Sequence, residues 1–217
     1  MKKLFSTDAF SRNGFNSISE RTFFGSIAAF VIYGLISTYF ATFFAPVHLT
    51  TAMLIGVGLV IPIIGCFVAM NDNLPISFLG YNMITIPFGI VLGPVLNAYA
   101  PGVVANAAML TAGVTGLMGL AGLTYPNLFK SLGGVLFYSL LSLVVVRVLG
   151  LFIPALNCGL VDYIAAGIFS LYIGYDMYRA SVASRSVQSA LHVSVSLYLD
   201  IINLFTTILS ILGNDND

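Results

Sequence analysis

Seven apolar runs constrain this chain more than any motif does. They are Phe23–Phe44, Met53–Met70, Pro75–Leu96, Val103–Leu123, Leu132–Ile153, Tyr163–Tyr178 and Leu191–Leu212, separated by short polar segments. About 20 apolar residues suffice to cross a bilayer core as a helix. Backbone groups facing hydrocarbon must bond within their own segment, so the spans have to be helical. Only 7% of the 217 residues are charged, against about 25% in an ordinary soluble domain, so lipid has to serve as the solvent. The runs leave no room for a second domain. The chain reads as an all-α integral membrane protein of seven transmembrane helices, with an N-terminal segment (1–22), a helical body (23–212) and a short acidic tail (213–217). The third run contains Asn82, Pro87 and Pro94, which favour a kink, and the sixth is short.

Basic residues set the expected orientation. Lys2, Lys3, Arg12 and Arg21 precede the first run, Lys130 lies between the fourth and fifth, and Arg179 and Arg185 lie between the sixth and seventh. With seven spans these all fall on one side, which the positive-inside rule makes cytoplasmic. The N-terminus is therefore expected inside and the tail outside; a six-span reading would instead make one run re-entrant, the last being the obvious candidate. The first residues stay polar through Arg21, which does not fit a cleaved signal peptide. Zero net charge argues against a nucleic-acid partner.

Several chemistries lack their residues. No nucleophile elbow, phosphate-binding loop, dinucleotide fingerprint or His-Glu-x-x-His motif is present. With two histidines, His48 and His192, and two distant cysteines, Cys66 and Cys158, the chain offers no His/Cys metal spacing. No enzymatic activity and no cofactor are expected. The fourth run carries small residues, Ala108, Ala112, Gly113, Gly116, Gly119 and Gly122, which allow close helix approach, either as static packing or as a sliding contact.

Three ionisable residues fall inside the runs: Arg147, Asp176 and Asp200. Intramembrane charge costs ~2.5–3.5 kcal/mol on insertion scales and marks function by default. Arg147 lies near the outer end of its run, where a long side chain can snorkel to the surface. Asp176 lies near the cytoplasmic end of its run, three residues before Arg179, and can pair with it on one helix face. Asp200 is deep in the last run among apolar neighbours. It belongs to a polar stripe of His192, Ser196, Asp200, Asn203 and Thr207 at helical spacing, opposite Leu197, Leu199, Ile201, Leu204 and Ile208. Two acids on neighbouring helices can meet. Their like charges then cannot easily both form in a low dielectric, and the pair titrates as one unit. Such a pair can sense protons and, when ionised, hold a cation.

The stretches Phe169-Ser-Leu-Tyr-Ile-Gly-Tyr-Asp176 and Ser196-Leu-Tyr-Leu-Asp-Ile-Ile-Asn-Leu-Phe205 resemble the transmembrane Bax inhibitor motif family, in its bacterial type. The resemblance implies a seven-helix fold with the last helix central in the bundle and a pH-dependent calcium leak. It implies that Asp176 and Asp200 are the sensor and gate, with calcium as the permeant ion they could bind. Relatives can carry a basic latch at the cytoplasmic end of the second helix. Here that region reads Ala69-Met-Asn-Asp-Asn-Leu-Pro75, an acid and no base, leaving Arg179, Arg185 or His192 as candidate charge partners. The short termini point to a bacterial inner membrane. Two rival readings stand beside the channel. One is a regulatory protein that binds a membrane protease or cell-death partner, with Met1–Arg21 as docking element. The other is an intramembrane aspartyl protease, disfavoured because Leu197-Tyr198-Leu199 precedes Asp200 where that chemistry has Gly-x-Gly.

Overall fold

A computed structural model describes residues 17–46, 50–150, 153 and 159–214. Seven helical units follow one another, and no strand occurs among the described residues. They are α1 (Glu20–Thr42), α2 (Thr51–Ile55, Gly56–Val60 and Ile61–Ala69 in succession), α3 (Leu74–Asn97), α4 (Pro101–Thr124), α5 (Pro126–Gly150), α6 (Gly159–Val182) and α7 (Val187–Asn214). Six are long and apolar enough to cross a membrane by length and composition. The exception is α6, of 24 residues, which carries Asp162, Asp176 and Arg179. The sixth unit is thus as long as its neighbours. It extends back to Gly159 and takes in an acid that the sequence reading left in a loop. The N-terminal segment is described only from Ser17, and Cys158 and most of the acidic tail lie outside the described residues; Cys66 is a free thiol.

Local sequence explains the ends and irregularities. Ser19 caps α1 by accepting from the Thr22 amide at 3.1 Å, as short hydroxyl residues do at helix starts. Pro101 and Pro126 stand at the first positions of α4 and α5, where a missing N–H costs nothing. Pro87 and Pro94 sit inside one continuous α3. Asn82 on the same helix is satisfied, donating to the Phe78 carbonyl at 2.8 Å and accepting from Tyr33 at 2.6 Å. The departure from α geometry falls in α2. Residues Gly56–Val60 form a π turn just ahead of Pro62, and Ile61 donates to the Gly56 carbonyl. Proline cannot donate to the residue four back, and a π turn absorbs that gap.

The last helix is the hub. α7 packs against α1, α2, α3, α4 and α6, whereas α5 leans mainly on α6 and barely touches α7. Two apolar faces of α7 are buried. Leu197, Ile201, Leu204 and Ile208 pack with Ile27, Val31, Ala165 and Ile173 of α1 and α6, and Leu191, Val195, Tyr198 and Ile202 pack with Tyr81, Ile84 and Leu92 of α3. Leu199 instead faces a cleft. The small residues of α4 divide in two. Gly122 lies so close to α6 that a Cβ there would overlap the Gly174 carbonyl, and Gly119 is buried nearby, whereas Gly113 and Gly116 meet nothing. Only the C-terminal part of that row is a helix contact.

Candidate functional site

Because α5 and α7 hardly meet, they leave between them a cleft of about 830 Å³, backed by α6 and touched by Leu59 of α2. α5 contributes Leu143, Val144 and Arg147, and α6 contributes Asp162, Phe169, Tyr172, Asp176 and Arg179. α7 contributes Ser196, Asp200, Asn203, Thr206, Thr207 and Ser210. The α7 set recurs every three or four residues, so helical geometry lays it along one face as a polar ladder. On α6, Asp162 and Asp176 are fourteen residues apart, about 21 Å of helix rise. The cleft therefore follows the helices across most of a bilayer core.

Asp176 and Asp200 lie toward one end of this cleft, and both are buried. Arg179 Nη1 donates to Asp176 Oδ1 at 3.1 Å from one turn further along α6. The second oxygen, Asp176 Oδ2, is buried without a hydrogen-bond donor. The Asp200 carboxyl is within side-chain hydrogen-bonding reach of Asp176. Two carboxylates offer only acceptors to each other, so a single proton between them is what would turn this contact into a bond. Tyr172, one turn before Asp176, stands beside both acids.

The other candidates separate. Ser196, Asn203 and Thr207 line the cleft with Asp200. His192 does not: its Nε2 sits 2.8 Å from Gln188 Nε2 and 3.3 Å from the Asn71 carbonyl, against the α2–α3 turn. Gln188 donates to the same carbonyl at 2.6 Å. The loop that lacks a basic latch is thus tied to the start of α7 by an amide and an imidazole. Arg185 is not a partner of the acids either. It pairs with Glu20 at 2.8 Å on the surface, and its carbonyl accepts from the Ile18 amide. Of the three suggested charge partners, only Arg179 reaches the acids.

Two groups escaped the sequence reading, Asp162 and Ser210. Asp162 is buried in α6, with Arg147 Nη2 2.5 Å from its Oδ1 and Ser210 Oγ donating to its Oδ2 at 2.9 Å. Arg147 is therefore held in an ion pair, which simple snorkelling did not foresee. Signals for this cluster existed. Ser210 continues the α7 stripe three residues past Thr207, and Leu160-Val161 precede Asp162 as apolar helix starters. Among the described residues no three His, Cys, Asp or Glu side chains converge as a metal site.

A bundle of long apolar helices wrapped round a central helix, with acids buried between them, defines a multi-pass integral membrane protein. The family model described as "Inhibitor of apoptosis-promoting Bax1" matches residues 17–217, and the chain belongs to that Bax inhibitor family. It is 33% identical over 139 residues to Bax inhibitor 1 of Schizosaccharomyces pombe, covering 59% of this chain and 50% of that protein. An uncharacterized membrane protein of Vibrio cholerae is 34% identical over 139 residues, 59% of this chain and 60% of its own. The inner membrane protein YbhL of Escherichia coli K12 is 27% identical over 147 residues, 63% and 62% respectively. The matched stretches span half to about three-fifths of the length of these relatives.

Proposed function

We propose that the protein is a passive cation leak, with calcium as its principal ion, gated by the Asp176–Asp200 pair. The observation that carries this reading is a buried acid, Asp176, with one oxygen orphaned, within reach of a second buried carboxyl, Asp200, in a polar-floored cleft. Carboxylate, amide and hydroxyl oxygens are the ligands that hard cations such as calcium take. Two carboxylates alone fall far short of the 6–8 oxygens of a closed calcium site, which suits transit better than storage. No nucleotide-binding motif is present to drive uphill transport, so the proposed flux is downhill or coupled to another ion.

At low pH one proton bonds the two carboxyls and holds α6 against α7. Raising the pH removes it, and two like charges in a low dielectric then repel. Each pH unit of bias is worth about 1.4 kcal/mol, so a two-unit difference shifts a two-state gate about a hundredfold. The distribution of basic residues supports a cytoplasmic N-terminus, and a bacterial inner membrane is the proposed location, in keeping with the description of YbhL.

Calcium flux into proteoliposomes across pH tests the reading. Unmutated protein should pass more calcium as pH rises. Asp200→Asn and Asp176→Asn should each flatten the profile, since an amide does not titrate, and the double variant should add little. Wild-type pH profiles in both single variants would remove the paired-acid gate and leave Asp176 as an interfacial acid paired with Arg179.

A further inference from the structure

The same cleft has a second charged end, built differently from the first. Three helices meet there through side chains alone: Arg147 from α5, Asp162 from α6 and Ser210 from α7. At this level α5 and α7 are joined by this bridge across Asp162, because the two helices themselves barely touch. The partners are unequally held. The Asp162 side chain is 8% exposed and fixed from both oxygens, whereas that of Arg147 is 45% exposed at the end of a long flexible stem. The anion is part of the wall, and the cation reaches it from the more exposed side. Next to Asp162 lies the end of the α7 ladder, with Thr206 and Thr207 hydroxyls about one turn from Ser210. A carboxylate with a row of hydroxyls has the ligand chemistry of a hard-cation site, with a guanidinium in the position a cation would take.

We infer that Asp162 and Ser210 form an outer cation station, and that Arg147 is a tethered cation that fills it until a permeant ion displaces it. The inference rests on the leak reading for its role in flux, but the station itself is a binding site and can be measured as one. A clamp serving only to join α5 to α6 would hold Arg147 equally well, but its removal would leave no calcium site behind.

Equilibrium binding of radioactive calcium to the purified full chain in detergent separates these cases. The inner pair is first neutralised as Asp176→Asn/Asp200→Asn, so that only the outer end can respond. Adding Arg147→Gln to that background should tighten calcium binding by at least about tenfold, equivalent to about 1.4 kcal/mol. Adding Asp162→Asn as well should abolish the gain. Equal affinity with and without Arg147, or a gain that survives the loss of Asp162, overturns the station. Should Arg147→Gln not fold, the unmutated protein gives an independent answer. Calcium should raise phenylglyoxal labelling of Arg147 severalfold by releasing it from Asp162, and an unchanged labelling rate refutes displacement. A binding gain without any calcium flux through unmutated protein would support the station while sinking the leak reading.

Discussion

The central helix is pinned to its neighbours by a short relay whose energetics can be worked out atom by atom. Thr38 of α1 donates its only hydroxyl hydrogen to the Thr85 carbonyl of α3 at 3.1 Å. Its oxygen sits 2.5 Å from the Tyr198 hydroxyl of α7, so Tyr198 has to be the donor in that bond. Tyr198 is fully buried and Thr38 nearly so. Tyr198→Phe removes one donor and strands nothing, because Thr38 still donates to Thr85. The loss is one hydrogen bond, about 0.6 kcal/mol by the average for membrane helices and about 1 by the general estimate. Thr38→Val is different. It leaves the Tyr198 hydroxyl buried with no acceptor, and stranding a buried donor costs about 1–3 kcal/mol. The smaller-looking change should therefore be the costlier one. In the double variant the stranded hydroxyl is gone, so the two effects should fall short of additive by about 0.5–1.5 kcal/mol, as expected for residues in contact. Reversible unfolding in mixed detergent micelles, followed by circular dichroism, measures all four proteins. A Tyr198→Phe cost equal to or above that of Thr38→Val, or strict additivity, would refute the assigned direction of the relay.

Three further outcomes are expected. Gly122→Ala should destabilise by about 1–3 kcal/mol, because its new methyl would meet the Gly174 backbone carbonyl, which cannot rotate away; Gly113→Ala and Gly116→Ala, facing open space, should stay within about 0.5 kcal/mol in the same unfolding assay. Arg179→Gln takes the cation paired with Asp176 away from the two acids, so both become harder to ionise together and the midpoint of pH-dependent calcium flux should move to higher pH. A cysteine placed at Asn214 in a Cys66→Ser/Cys158→Ser background should react with an impermeant maleimide only from outside the cell; labelling only from the cytoplasmic side would end the seven-crossing topology.

The spans were legible because hydrocarbon imposes a length and a composition on each of them, and the approximate limits of α1 to α5 and α7 follow from the apolar runs. Asp176 and Asp200 stood out for the same reason, as carboxylates where apolar residues are required. What the sequence hid is relational. Asp162 looked like a loop acid because the apolar run that follows it begins at Tyr163; its helix starts three residues earlier, at Gly159, and its burial depends on Arg147 and Ser210, 15 and 48 residues away. His192 fits the α7 stripe by spacing, yet it lies at the helix end, where the Asn71 carbonyl of the α2–α3 turn draws it out of the cleft. In the α4 row, spacing alone could not tell Gly122, which touches Gly174, from Gly116, which touches nothing.

α6 also bears on how the protein enters its membrane. Asp162, Asp176 and Arg179 lie on a single helix, and each intramembrane charge adds to the cost of insertion, most at the bilayer centre and less toward the ends where these three lie. As an isolated segment leaving the ribosome, α6 would have little reason to stay in lipid. Its neighbours supply what it lacks: α5, made just before it, carries the guanidinium that meets Asp162, and α7, made just after, carries Ser210 and Asp200. α6 thus has its buried polar partners only when α7 is packed beside it. In this fold the 28-residue α7 supplies partners that α6 lacks on its own.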